Sequence, residues 1–539
     1  MIDGAATRAG AGHVRRPPLL LGGAAVAVVA LVTLPLAYLV ARAAGGGADA
    51  WSVLARARLL ELVGQTVLLV AVVTGAAVAV GVPLAWLVAR TDLPARRFWA
   101  VAAALPLVVP SYVAALVLLA AFGPRGLLQQ VLEGPFGVER VPEIYGFPGA
   151  ALALTLSTYP YVYLLTVAAL RDLDPALEEA SRSLGRPHLE TFRRVTFPVL
   201  RPSVGAGALL VALYTLSDFG AVSLMQYGSL TRAVYLQYRS LFDRTPAAVL
   251  ALVLVLLTCL VLVLEAFARG RARYHRSAPG AARTPPRIAL GRWRWPALAF
   301  CGAVVGVGLA VPLVVVGYWL ERAVSLGEGV EAAWGAALNS VFASGLAAAA
   351  AVLAALPVGL LAARHPSRPA RILERAAFSA NALPGIVVAL ALVFFAAGYA
   401  TPVYQTLALL VFAYVVRFLP QALAGTSSAF ARVSPHLEEA ARGLGRTPRR
   451  AFLSVTVPLS APGLMAGAAL VFLSTMKELP ATLLLRPIGF ETLATEVWTA
   501  TTVAAYSQAA LPALLLIVFS APFVYLLVTR GNVEVDAPG

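Results

Sequence analysis

Residues 98–124 and 332–363 each run without a charged side chain, and runs of that length leave few folds open. About 20 consecutive apolar residues cross the hydrocarbon core of a bilayer as a helix, whereas a membrane strand takes about ten and alternates apolar with polar. No such alternation is present, so a barrel is excluded. Composition agrees: 60% of the 539 residues are hydrophobic and 13% charged, more apolar surface than a soluble core can absorb. Further apolar stretches at 17–41, 62–89, 144–170, 203–225, 246–264, 295–320, 376–397, 404–427, 462–485 and 503–529 complete the set, with Gly398 and Pro402 dividing the run from Ala376 to Val416. The expected fold is all-α, a polytopic membrane protein of about 12 transmembrane helices.

The formal net charge of +16 records topology rather than nucleic-acid binding, because Lys and Arg accumulate on the cytoplasmic side of a membrane protein. Sorted by loop, 30 of the 42 basic residues share the side of the N-terminus, 11 lie opposite and Arg417 stays inside a span. The first group includes Arg8, Arg15 and Arg16, and both termini are therefore expected in the cytoplasm. A signal peptide is the competing reading of Arg15-Arg16, since Ala41-Arg42-Ala43 is weakly cleavage-like. The apolar run that follows exceeds the roughly 7–15 residues of a signal core, which favours an uncleaved first span. Cys259 and Cys301 both sit in apolar runs, so neither a disulfide framework nor a cysteine metal cluster is available.

An internal repeat is more informative. Residues 175–202, PALEEASRSLGRPHLETFRRVTFPVLRP, align without a gap to residues 435–462, PHLEEAARGLGRTPRRAFLSVTVPLSAP, at an offset of 260. Duplication and fusion explain this, giving a first half at 1–268, a cytoplasmic linker at 269–294 rich in Arg, Pro, Ala and Gly, and a second half at 295–539, each half with six spans. Both repeated segments are polar, cytoplasmic and wedged between the fourth and fifth spans of their half. Proline opens a short helix, two carboxylates occupy its first turn where the helix dipole favours them, and Gly185 or Gly445 stops it. A second helical stretch follows, until Pro198 and Pro202, or Pro458 and Pro462, prepare the next membrane entry. Two matched helix–turn–helix bosses on one face suit a cytoplasmic partner with two matching clefts; capping of membrane helices is the plainer alternative.

These residues carry a resemblance. Glu179-Ala180-Ser181, three residues, Gly185, nine residues, then Val195-Thr196-Phe197-Pro198 resembles the EAA loop of type I ABC importer permeases. Glu439-Ala440-Ala441, Gly445 and Val455-Thr456-Val457-Pro458 match it again at the same spacing. The resemblance covers both halves and implies a loop that couples the membrane helices to two copies of a cytoplasmic ABC ATPase. Glu178, Glu179, Ala180, Gly185, Glu438, Glu439, Ala440 and Gly445 are then the coupling residues, with Ser181 a small-for-small departure. It further implies a periplasmic substrate-binding protein and a bacterial inner-membrane location. The chain itself lacks a P-loop, since its one lysine is Lys477. No cofactor is expected on it, no catalytic constellation is visible, and ATP with Mg would be used by the partner subunit.

Charged residues at membrane depth are functional candidates by default. Asp218 and Glu478 are related by the same offset of 260, so a pseudo-two-fold axis would set two carboxylates on opposite sides of one pathway, an arrangement that favours a cation. Asp218 capping a helix break, with Lys477 neutralising Glu478, is the alternative. Tyr214, Tyr227, Tyr235 and Tyr238 lie near Asp218 in sequence, and phenolate with carboxylate suits a hard trivalent ion, although tyrosine is common at membrane interfaces. Arg232, Arg239 and Arg244, beside Asp243, face outward and could meet acidic residues of a delivering protein. The stretches Leu216–Val222, Thr231–Tyr238 and Met476–Thr482 resemble the fused permeases of ferric iron importers; fused thiamine permeases share the layout and a similar Asp-Phe-Gly element. Ferric iron is the expected cargo, with thiamine, polyamine or sulfate as alternatives and no metal ligand set assigned. A secondary transporter is the remote alternative, but its repeats would more often be inverted, and here they are parallel.

Overall fold

The computed structural model describes residues 18–47, 51–52, 57–123, 126–137, 143–240, 244–269, 287–327, 331–380 and 383–530. Arg8, Arg15, Arg16, both chain ends, Asp243 and linker residues 270–286 lie outside the described residues. Eleven described helices are long and apolar enough to cross a membrane, and a twelfth, Gly385–Tyr399, is shorter. The first half contributes α1 (Leu19–Ala44), α2 (Ala57–Arg90), α3 (Ser111–Phe122), α4 (Phe147–Asp172), α5 (Pro175–Ser183), α6 (Phe197–Ser217), α7 (Gly220–Leu224), α8 (Leu230–Tyr238) and α9 (Thr245–Arg269). The second contributes α10 (Val311–Ser325), α11 (Glu331–Arg364), α12 (Gly385–Tyr399), α13 (Leu407–Arg432), α14 (Pro435–Gly443), α15 (Val457–Met476), α16 (Pro480–Leu485), α17 (Leu493–Thr502) and α18 (Tyr506–Arg530). Packing groups Met1–Ala37, Ala343–Asn381 and Ala408–Thr475 in one unit, and Tyr38–Phe342, Ala382–Leu407 and Met476–Gly539 in another.

The third span expected over 98–124 is not one helix. Arg96–Ala102 forms a short helix and Leu105–Val108 a 3-10 turn, and α3 begins only after Pro110. Val109 is extended (ψ 114°), as a residue before proline prefers. The ninth span, expected over 376–397, divides in the same way: Arg368–Ser379 precedes Pro384, and α12 follows. Pro110 and Pro384 are thus the equivalent prolines, both extended (ψ 150° and 145°); Pro106 lies in the 3-10 turn. Both truncated helices are buried around nearly their whole circumference, as expected of helices apolar on every side.

The fifth and eleventh spans also differ from expectation. Instead of a separate surface helix followed by a membrane entry, residues 188–217 form one helical column: His188–Thr191, a π turn at Phe192–Thr196, then α6. The second copy runs Pro448–Ala451, a π turn at Phe452–Thr456, then α15. A third π turn, Gly306–Ala310, precedes α10. Each π turn ends two residues before a proline: Pro198, Pro458 and Pro312. Proline has no N–H for the carbonyl four residues back and its ring collides with that carbonyl; a wider turn just upstream removes the collision and lets the column continue. The second helical stretch of each boss is thereby continuous with the membrane span.

In the larger unit α2, α4 and α6 pack on one another. Close approach depends on Gly207: a Cβ there would lie 2.8 Å from the Val162 Cα, and such small residues let membrane helices approach. Gly207→Val is expected to cost about 1–3 kcal/mol by overpacking, whereas Gly205→Val, where no atom lies within 4 Å, should be near neutral. Thermal unfolding of the two detergent-purified variants checks this; equal melting temperatures would contradict it.

Candidate functional site

Each repeated segment folds into a capped surface helix. Asp174 caps α5 by accepting from the Ala176 N–H at 3.0 Å, and Ser434 caps α14 through the His436 N–H at 3.4 Å. Gly185 (φ +80°) and Gly445 (φ +84°) end the helices in the left-handed region, which glycine enters without a Cβ penalty. Leu184 is 76% exposed and Leu444 87% exposed, with Leu177 and Leu437 half-exposed at the start of the same helices. Glu179, Ala180, Glu439 and Ala440 are exposed beside them, and His436 Nδ1 lies 3.1 Å from Glu439. Each boss therefore offers leucines ringed by polar groups, the character of a protein-docking patch.

Glu178 and Glu438 do something different from the glutamates that follow them. Glu178 pairs with Arg90, whose side chain is only 3% exposed, and accepts from the Thr196 hydroxyl at 2.6 Å. Glu438 repeats the arrangement, 3.9 Å from Arg364 and accepting from Thr456 at 3.1 Å. Arg90 and Arg364 end α2 and α11, and the two threonines close the π turns. Each surface helix is thus clasped at once to the end of the second span and the start of the fifth. In the sequence Arg90 and Arg364 count only as topology charges, and Thr196 and Thr456 only as letters of the repeated motif. The signal was available: Arg90 and Arg364 share an offset of 274 with Pro83 and Pro357, as do Glu178 and Glu438 with Thr196 and Thr456 at 260. Ser181, the departure from the motif, bonds Thr191 at 3.1 Å; the second copy has Ala441 and Ala451 at both positions, so a buried polar pair replaces an apolar one.

The membrane-depth acids lie at helix ends rather than within spans. Asp218 follows the last residue of α6 and its Oδ1 accepts from the N–H groups of Ala221 (3.0 Å) and Val222 (3.3 Å). Ser111, the first residue of α3, donates to Oδ2, and Tyr214 bonds Ser111 within reach of Asp218. Glu478 follows α15, accepting from the Ala481 N–H at 3.3 Å, and Lys477 Nζ donates to the Leu107 carbonyl at 3.0 Å. Both acids are buried (7% and 6% exposed), and both cap a break between a long helix and a short one. Gly385 stands where Ser111 does in the first half, and the two acids differ in length. Among the described residues no group of three His, Cys, Asp or Glu gathers to hold a metal.

The other tyrosines and the outward arginines are tied into the fold. Tyr227 donates to the Gln65 carbonyl at 2.9 Å, Tyr235 packs 4.8 Å from the Phe219 ring, and Tyr238 lies between Phe394 and the Arg244 guanidinium. Arg232 donates to the Gln226 carbonyl at 3.0 Å, and burial pushes its pKa down. Arg239 bonds the Tyr235 hydroxyl at 3.3 Å, a contact that raises its pKa. Arg417 lies 5.4 Å over the Phe418 ring.

The family of binding-protein-dependent transport system inner membrane components matches the chain twice, at residues 77–274 and 355–531. The chain belongs to this family. It is a multi-pass inner-membrane permease, built to work with an ATPase and a binding protein. The Fe(3+)-transport system permease protein FbpB 2 of Haemophilus influenzae is 34% identical over 518 residues, 95% of this chain and 98% of that one. The ferric transport system permease protein FbpB of Actinobacillus pleuropneumoniae is 24% identical over 70% of this chain, which spans 57% of the relative's length. The sulfate transport system permease protein CysT of Salmonella typhimurium is 30% identical over 38% of this chain and 73% of its own.

Proposed function

We propose that this permease carries ferric iron from a periplasmic binding protein across the inner membrane. The observation that carries the reading is the match to an Fe(3+)-transport permease along 95% of the chain. Two buried carboxylates, Asp218 and Glu478, at equivalent helix breaks suit a cation better than an oxyanion. The two halves, 1–268 and 295–539, act as the two permease domains on either side of the linker 269–294, with both termini in the cytoplasm. Two copies of an ABC ATPase, using ATP and Mg, dock on the bosses around Leu184 and Leu444 and close together. That closure moves each boss, and the continuous column through the π turn passes the movement to α6 and α15. The pathway then opens outward, where Arg232, Arg239 and Arg244 receive the binding protein, and hydrolysis resets it inward. This chain hydrolyses nothing itself.

Uptake into proteoliposomes holding this chain, its ATPase and the binding protein tests the reading, with labelled Fe³⁺, thiamine and sulfate offered in parallel. Iron is expected to accumulate. Asp218→Asn with Glu478→Gln removes both charges while keeping the capping oxygens, and is expected to lower iron uptake, because ionisable residues at membrane depth mark ion pathways. Unchanged uptake would make both acids helix caps; accumulation of thiamine or sulfate instead of iron would keep the importer and overturn the cargo.

A further inference from the structure

The two coupling stations differ in one respect that the repeat does not account for. Residues 287–290 of the linker run beside the first station. Ile288 forms a parallel bridge with Thr91: its N–H donates to the Arg90 carbonyl at 2.9 Å and its carbonyl accepts from the Asp92 N–H at 3.2 Å. The Leu290 N–H then donates to Asp92 Oδ1 at 2.8 Å. Ile288 thereby walls the cleft that Trp86, Arg90, Glu178 and Thr196 also line. Arg90 is the residue on which Glu178 is clasped, so the linker holds the backbone of the clasp itself.

Among the described residues the second station has no counterpart for this bridge. The position equivalent to Asp92 is Pro366, which has no N–H to complete such a bridge. His365 instead donates back to the Leu361 carbonyl at 3.0 Å, closing the last turn of α11, which ends at Arg364. The clasp geometry follows this difference. Arg90 is 3% exposed and in direct contact with Glu178, while Arg364 is 16% exposed and 3.9 Å from Glu438. Thr196 bonds Glu178 at 2.6 Å, against 3.1 Å for Thr456 and Glu438.

We infer that the linker is a brace on the first coupling station, with Ile288 and Asp92 as positioning residues, and that fusion has left the chain with one stiff and one compliant station. The inference rests on the proposed docking of ATPase subunits at the two bosses. Stiffness bears on coupling because a boss that yields under the ATPase absorbs the stroke, whereas a braced one transmits it to α2 and α6.

Two measurements on the full chain test this. In a background with Cys259→Ala and Cys301→Ala, a spin label at Leu184→Cys is expected to move less than one at Leu444→Cys. Ile288→Pro, which deletes the N–H that Arg90 receives, should bring the first label to the mobility of the second. Asp92→Ala, a milder change, should do so in part and guards against misfolding of the proline variant. In proteoliposomes with ATPase and binding protein, Ile288→Pro is expected to raise the ATP hydrolysed per solute moved about five-fold, the equilibrium worth of one backbone hydrogen bond. Equal label mobility in the parent, or mobility and stoichiometry both indifferent to Ile288→Pro and Asp92→Ala, would overturn the brace. A change in mobility with no change in stoichiometry would overturn its role in coupling. Gly445→Trp in the same vesicles separates the two readings: if it too leaves stoichiometry unchanged, the docking reading has failed, and if it uncouples while Ile288→Pro does not, the brace alone has failed.

Discussion

Gly445→Trp is expected to abolish ATP-driven uptake while the protein still inserts and binds detergent as a folded permease. The backbone at Gly445 has φ +84° and no atom lies within 4 Å of a Cβ placed there, so the substitution meets no collision inside the chain. Its cost within the chain is the left-handed conformation, about 1–2 kcal/mol for a residue with a Cβ, borne at a surface turn. The indole instead projects beside the exposed Leu444, where a docking partner must approach. Gly445→Asn separates the two contributions, since asparagine tolerates the left-handed region and adds little bulk; it should keep most of the uptake. Uptake is measured with the ATPase present, and hydrolysis is followed in the same vesicles. Full transport in Gly445→Trp would remove the boss around α14 from the coupling interface.

Arg90→Met is the second large effect expected. Breaking a buried ion pair from one side leaves the other charge uncompensated, a loss of about 3–5 kcal/mol. Glu178 would retain only the Thr196 hydroxyl among its two clasping partners described above, and α5 would lose its tie to the end of α2. Both thermal stability and uptake should fall steeply. Arg364→Met should cost less, toward the roughly 0–1 kcal/mol of exposed pairs, because Arg364 and Glu438 are further apart and more hydrated. Removing both partners of a buried pair is often close to neutral, so Arg90→Met with Glu178→Leu should recover much of the melting temperature but not the coupling. Equal losses in Arg90→Met and Arg364→Met, or no recovery in the double variant, would contradict a buried clasp in the first half.

Membrane class, number of spans and the doubled cytoplasmic motif were all legible in the linear order of residues. Each rests on a local property: hydrocarbon solvation acts on every residue of a run, and a repeat is a comparison of the string with itself. The two short helices that carry Glu179 and Glu439, and the stops at Gly185 and Gly445, could be read because each helix starts and ends within a dozen residues, on capping rules alone. Span boundaries were less legible. Mean hydropathy is insensitive to a break, so the divisions of the helix at Pro110 and Pro384 did not show inside apolar runs, and the π turns that reconcile Pro198 and Pro458 with a continuous helix leave no mark on composition.

Only the tertiary structure assigned different tasks to neighbouring glutamates. Glu178 and Glu179 are adjacent, equally charged and equally placed in the first turn of α5, yet one is turned inward to Arg90 and Thr196 and the other outward. The choice depends on which face of α5 meets the end of α2, a contact between residues far apart in sequence. The same holds for Asp218, whose two carboxylate oxygens are divided between the N–H groups that open α7 and the Ser111 hydroxyl at the start of α3, and for Ile288, which no pattern pairs with Thr91 until the fold lays them side by side. Sequence by itself determined what the bilayer and the local backbone impose; the pairing of buried charges was decided by the fold, because an ion pair exists only where packing brings its two members together and removes the water between them.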